Sequence, residues 1–186
     1  MAKKRYIYNT KLAFLLLPLI LIPVLIEWQV YSIEQDFFDA HKDFLLFANI
    51  AYIVIARILL LDSAIYVFSH TKHPTNTTLI HIVLLYLEIT VITILYYALL
   101  YYIFDPFTLF HLNSDFSPQN LKMVHEHKFI ISFYISTVTF TTLGSGDWIP
   151  QTIHSMIAVS SEVILGVIQG GVFVAIVIYG HQNREK

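Results

Sequence analysis

The chain has 186 residues, 56 % of them hydrophobic and only 13 % charged, with a formal net charge of −2 and no cysteine. A soluble domain carries about a quarter charged residues, so this composition points to a membrane protein, and the length fits a single domain. Lack of cysteine excludes disulfides, thiolate metal sites and cysteine nucleophiles, and no basic stripe suggests nucleic acid.

A spanning helix needs about 20 mostly apolar residues. Four segments qualify: Leu12–Val30, Phe44–Phe68, Leu79–Phe104 and Ile153–Tyr179. The first follows Lys3, Lys4, Arg5 and Lys11, but Glu27-Trp28-Gln29-Val30-Tyr31 offers no small-x-small cleavage site. It therefore reads as an anchor helix, not a signal peptide, with Pro18 and Pro23 expected to bend it. An acidic connection, Glu34 to Asp39, leads to the second segment.

That second segment holds fifteen Leu, Ile, Phe or Val residues and two charges, Arg57 and Asp62. Each apolar residue favours insertion by about 0.3–0.6 kcal/mol and each charge opposes it by about 2.5–3.5, so both charges call for partners. By helical rise, Arg57 lies about 16 Å and Glu88 about 13 Å from the cytoplasmic side, which predicts an Arg57–Glu88 ion pair. A voltage sensor needs several regularly spaced basic residues, and one arginine excludes it here. Asn76-Thr77-Thr78 has the glycosylation pattern but falls on the cytoplasmic side and is expected to be inert.

Basic residues lie before the first segment, and Arg184 and Lys186 follow the last. The positive-inside rule then places both termini in the cytoplasm of a multi-pass protein of the cell membrane. A loop from Asp105 to Lys128 contains His111, His125, Glu126 and His127. Two histidines two residues apart chelate poorly, so these read as solvated side chains and no resident metal or cofactor is expected. Next comes a short apolar stretch, Phe129–Thr142, too short to cross and rich in Ser and Thr. It reads as a re-entrant helix.

It runs into Thr137-Val138-Thr139-Phe140-Thr141-Thr142-Leu143-Gly144-Ser145-Gly146-Asp147-Trp148-Ile149-Pro150. This stretch resembles the pore signature of the potassium-channel superfamily, where a pore helix leads into Thr-Val-Gly-Tyr-Gly-Asp with a proline soon after. Thr141, Thr142, Gly144, Gly146, Asp147 and Pro150 fall on the family's positions. Leu143 is a conservative change, and Ser145 replaces the filter aromatic. The resemblance spans about Leu79 to Tyr179. It implies an all-α membrane protein of four transmembrane helices, with a re-entrant pore helix and selectivity filter between the third and fourth, assembled as a C4 homotetramer.

On that reading residues 1–78 hold the cytoplasmic N-terminus and two peripheral helices, and 79–186 the pore domain. The pore domain divides into outer helix 79–104, loop 105–128, pore helix 129–142, filter 142–147 and inner helix 153–179. Stacked rings of backbone carbonyls replace the water of a permeating cation, and glycine at alternate positions opens the backbone angles this needs. The resemblance implies ion ligands from Thr142, Leu143, Gly144, Ser145 and Gly146, with support from Thr141, Asp147 and Tyr134. In the family the aromatic hydrogen-bonds to a pair of pore-helix tryptophans, which correspond here to Tyr134 and Ile135.

The expected function is passive conduction of potassium. The alternative is a non-selective monovalent cation channel passing Na+ as well, because Ser145 removes the buttress. Gly166, Gly170 and Gly171 on the last helix suit either a gating hinge or close packing. Glu162, four residues before Gly166, shares its face and is expected to bond near the pore helix. A non-conducting membrane subunit or a potassium-transporter component are remoter readings. No zinc-ligand helix, serine elbow or phosphate loop points to an enzyme. The expected partners are three further copies and the lipid bilayer, with a regulatory partner left open because no gating domain is legible.

Overall fold

The computed structural model describes residues 17–70, 79–113, 126–144 and 146–182. Lys3, Lys4, Arg5, Lys11, Asn76, Thr77, Thr78, His125, Ser145, Arg184 and Lys186 lie outside the described residues. The helices are a 3₁₀ turn Leu17–Leu21, then α1 (Ile22–Ile33), α2 (Gln35–His70), α3 (Leu79–Ile103), the single turn α4 (Pro106–Leu109), α5 (Lys128–Phe140) and α6 (Ile153–Gln182). Strands β1 (Phe110–Leu112) and β2 (Trp148–Pro150) form an antiparallel ribbon with His111 opposite Ile149. The protein is an all-α membrane protein, with this small ribbon added among the described residues.

Among the described residues, three helical stretches are long and apolar enough to cross a bilayer: Gln35–Leu60, Val83–Ile103 and Ile153–Ile178. In the first expected span only Leu17 onward is described, and Pro18–Ile33 falls short of a crossing by itself. Pro23 sits in the first turn of α1, where its missing N–H costs nothing, and the 3₁₀ turn before it contains Pro18.

The acidic connection expected between the first two spans is not a loop. Glu34 alone breaks the helices, with φ −130° and ψ 72°, and its N–H bonds the Val30 carbonyl. Helix α2 begins at Gln35, nine residues before the expected Phe44, and takes Asp36 into its first turn. Acids at a helix N-terminus face the exposed N–H groups and the positive end of the dipole, which is why this charged stretch folds as helix.

Helix α3 is the centre of the packing, against α1 on one side and α5 on the other, while α2 packs on α6. Tyr96, Tyr97, Leu100 and Tyr101 on α3 are fully buried, as is Ile135 on α5. Ring contacts extend this core: Tyr101 meets Phe110 edge-on at 5.0 Å, and Phe38 lies 5.1 Å from Phe104. Lipid tails are as apolar as leucine, so polar bonds and close packing must fix the helix positions.

Candidate functional site

Helix α5 stops at Phe140 because the chain turns left-handed. Thr142 has φ 58°, its N–H bonds the Thr139 carbonyl at 3.0 Å, and the Leu143 N–H reaches the Val138 carbonyl at 3.0 Å. Those two bonds make a Schellman cap, a device that usually employs glycine. A β-branched residue in this conformation costs about 1–2 kcal/mol. Gly144 repeats the positive φ at 73°, so residues alternate in and out of the left-handed region as the chain leaves α5. The Gly144 N–H also points to the Val138 carbonyl, at 3.3 Å.

The far end of the segment is tied by the ribbon. The Asp147 carbonyl accepts the Asn113 N–H at 2.7 Å, and the Gln151 N–H bonds the Leu109 carbonyl at 3.1 Å. Between these anchors Leu143 is 77 % exposed. A cavity of about 400 Å³ opens beside the segment, lined by Thr139, Thr142, Gly144, Trp148, Val159 and Val163 among others.

Of the expected supporting residues, Thr141 caps its own helix, its hydroxyl bonding the Thr137 carbonyl at 2.7 Å. Tyr134 is exposed on α5 beside Phe133, while its neighbour Ile135 is fully enclosed. Gly166 lies where a Cβ would come within 2.3 Å of the Phe140 carbonyl oxygen, so α6 and the end of α5 touch through it. Gly170 and Gly171 border open space. Helix α6 runs unbroken through all three.

Glu162 is fully buried one turn before Gly166, and one carboxylate oxygen meets the Tyr101 hydroxyl at 2.7 Å. The other meets Ser136 on α5, whose hydroxyl also lies 2.9 Å from the Ile94 carbonyl. Tyr97 and Ser161 share a bond beside this cluster, 2.8 Å long.

The expected Arg57–Glu88 pair does not form. Arg57 is buried and donates instead to the Gln169 side chain and, at 3.2 Å, to the Ile89 carbonyl. Gln169 in turn donates to Thr90 Oγ1 at 2.7 Å. Successive residues on a helix point about 100° apart, so depth alone did not bring Glu88 to the arginine's side. Glu88 Oε2 is buried without a hydrogen-bond partner among the described residues. Their ion pairs are Lys128–Asp105 at 3.0 Å and the histidine contact His154–Asp43 at 3.8 Å.

A third polar cluster joins the first three helices: Asn49 donates to Glu27, and the Tyr96 hydroxyl bonds Asn49 Oδ1 at 2.6 Å. Sequence reasoning did not single out Asn49, Tyr96, Tyr101, Ser136 or Gln169. For Gln169 a signal existed, since it stands seven residues after Glu162 in an otherwise apolar helix, on the same face.

Residues 88–179 match a family model described as Ion channel. The match covers 92 of the 186 residues, just under half of the chain. The matched domain is a pore domain of the potassium-channel type. It covers α3 from Glu88, the short helix α5, the glycine segment and α6 to Tyr179, and leaves out α1 and α2. No curated protein and no solved structure matches the chain.

Proposed function

We propose that four copies of this chain surround a central axis and conduct potassium passively through a filter built from Thr142, Leu143, Gly144, Ser145 and Gly146. The observation that carries the reading is the positive φ at alternate residues, Thr142 and Gly144, as the chain leaves α5. Alternating hand along a strand turns successive carbonyls to one side, which is what a column of oxygen ligands requires. The C-terminal end of α5 adds its partial negative charge next to that column, favouring a cation. One chain supplies one strand, so closure needs further copies. The exposure of Leu143 and of Ile153, Ile164 and Val167 along α6 fits burial against them.

In this assembly α3 is the outer helix, α5 a re-entrant pore helix and α6 the inner helix. Four crossings per subunit leave both termini in the cytoplasm, with α1 and α2 at the periphery. Gly170 and Gly171, where an added Cβ would meet open space among the described residues, serve as the compliant part of the inner helix, whereas Gly166 serves packing.

One observation favours the second reading, a non-selective cation pore. A cavity of about 400 Å³ lies between Thr142 and Gly144 on one side and Trp148, Val159 and Val163 on the other, among the described residues. Removing a buried aromatic costs about 3–5 kcal/mol where the gap cannot collapse. A thousandfold preference between two ions amounts to only about 4 kcal/mol.

The deciding experiment is the reversal potential of purified protein in a planar bilayer, potassium on one side and sodium on the other. A value near the potassium equilibrium potential supports the selective filter. A value near zero with clear current gives the non-selective pore, and no current at all defeats both.

A further inference from the structure

Ser136 has a single hydroxyl proton and two oxygen neighbours, the Ile94 carbonyl at 2.9 Å and a Glu162 carboxyl oxygen. A carbonyl oxygen can only accept, so the one serine proton serves either Ile94 or Glu162; when it goes to Ile94, the Glu162 contact needs a proton from the carboxyl group itself. The Tyr101 hydroxyl already donates to the other carboxyl oxygen. All three contacts are hydrogen bonds at once if Glu162 is a carboxylic acid that donates to Ser136 while Ser136 donates to Ile94. An ionised carboxylate would leave two acceptors competing for one proton among three fully enclosed side chains. No basic side chain forms an ion pair with it among the described residues.

The cluster sits where the ligand strand is hung. Ser136 lies two residues before Val138, whose carbonyl receives the Leu143 and Gly144 N–H groups. One turn further along α6, Gly166 bears on the Phe140 carbonyl, one turn further along α5. Helix α6 thus holds α5 at two successive levels, one by a polar bond and one by backbone contact.

We propose that Glu162 is a positioning residue for the ion-ligand strand, acting as a neutral carboxylic acid that locks α5 to α6 through Ser136. It touches no permeating ion. It sets the level at which the Val138 carbonyl, and with it Leu143 and Gly144, stand relative to the inner helix. This inference rests on the filter reading above.

The test uses the full-length protein in planar bilayers, with Glu162→Gln and Glu162→Leu compared to wild type. Glutamine can donate to Ser136 and accept from Tyr101 as the neutral acid does, whereas leucine can do neither. Glu162→Gln keeps the potassium-to-sodium permeability ratio and unitary conductance within about twofold, and Glu162→Leu changes one of them by about tenfold, the scale of one buried hydrogen bond. Infrared difference spectra of wild type minus Glu162→Gln contain the carbonyl band of a protonated carboxyl group. If Glu162→Leu yields no folded protein, Ser136→Ala breaks the same link and carries that comparison.

Wild-type ratio and conductance in the link-breaking variant would overturn the positioning role. A missing infrared band, or glutamine behaving like leucine, would overturn the neutral acid. A wild type that carries no current defeats the filter reading instead.

Discussion

Gly166→Ala gives the sharpest test of how α6 meets α5. The added Cβ would stand 2.3 Å from the Phe140 carbonyl oxygen and 3.3 Å from its carbon. Carbon–oxygen contacts settle no closer than about 3.3 Å, so the helices must part by about 1 Å. The obstacle is backbone and cannot rotate away. Overpacking of this kind costs about 1–3 kcal/mol. Gly170→Ala is the matched control, because it gains the same helix propensity, about 1 kcal/mol, and meets nothing within 4 Å.

The difference between the two variants therefore isolates the clash, at about 1–3 kcal/mol. For a chain of this size that is a separation of about 2–12 °C in melting temperature, Gly166→Ala being the lower. Thermal unfolding of the detergent-solubilised protein measures it. Because Phe140 is two residues before Thr142, the reversal potential should move with the same variant. Equal melting temperatures for the two variants would refute the close approach of α6 to α5.

Arg57→Leu strands the Gln169 side-chain oxygen in a buried site and should lower stability by about 1–3 kcal/mol, whereas Glu88→Gln breaks no bond to Arg57 and should not lower it. Thermal unfolding of both variants side by side checks the pair. Asn49→Ala removes the link among Glu27, Asn49 and Tyr96 and should cost about 1–3 kcal/mol. Its hydrogen-bond partners are Glu27, Leu45 and Tyr96, none of them in the glycine segment, so bilayer recordings should give an unchanged permeability ratio.

The long helices were legible because unbroken runs of Leu, Ile, Val and Phe have one outcome in a bilayer, and α6 begins at Ile153 where the sequence reading began it. The short helix before the glycine segment was legible from its length. Its end was not, because nothing about Thr142 as a residue type announces a left-handed conformation. The acidic start of α2 was misread because charge suggests a loop, while the helix dipole rewards acids at that end.

The buried polar contacts were the least legible part. Depth from helical rise put Arg57 and Glu88 level, yet which face a side chain takes depends on how each helix is rotated, and no single-chain pattern of mostly apolar residues fixes that. Gln169 is 112 positions from Arg57, beyond the reach of any local periodicity.

That separation also has a meaning in time. Arg57 enters the membrane with α2, but its side-chain partner on α6 is 112 residues from being made. At about 5–20 residues per second of synthesis, the arginine waits roughly 6–20 seconds for it. Glu27 and Asn49 can bond as soon as α2 is in place, but Tyr96 joins them only with α3. The first two helices are thus born incomplete. Their polar groups find their full set of partners only when α3 and then α6 arrive, so the order of synthesis is also the order in which these charges and amides are satisfied.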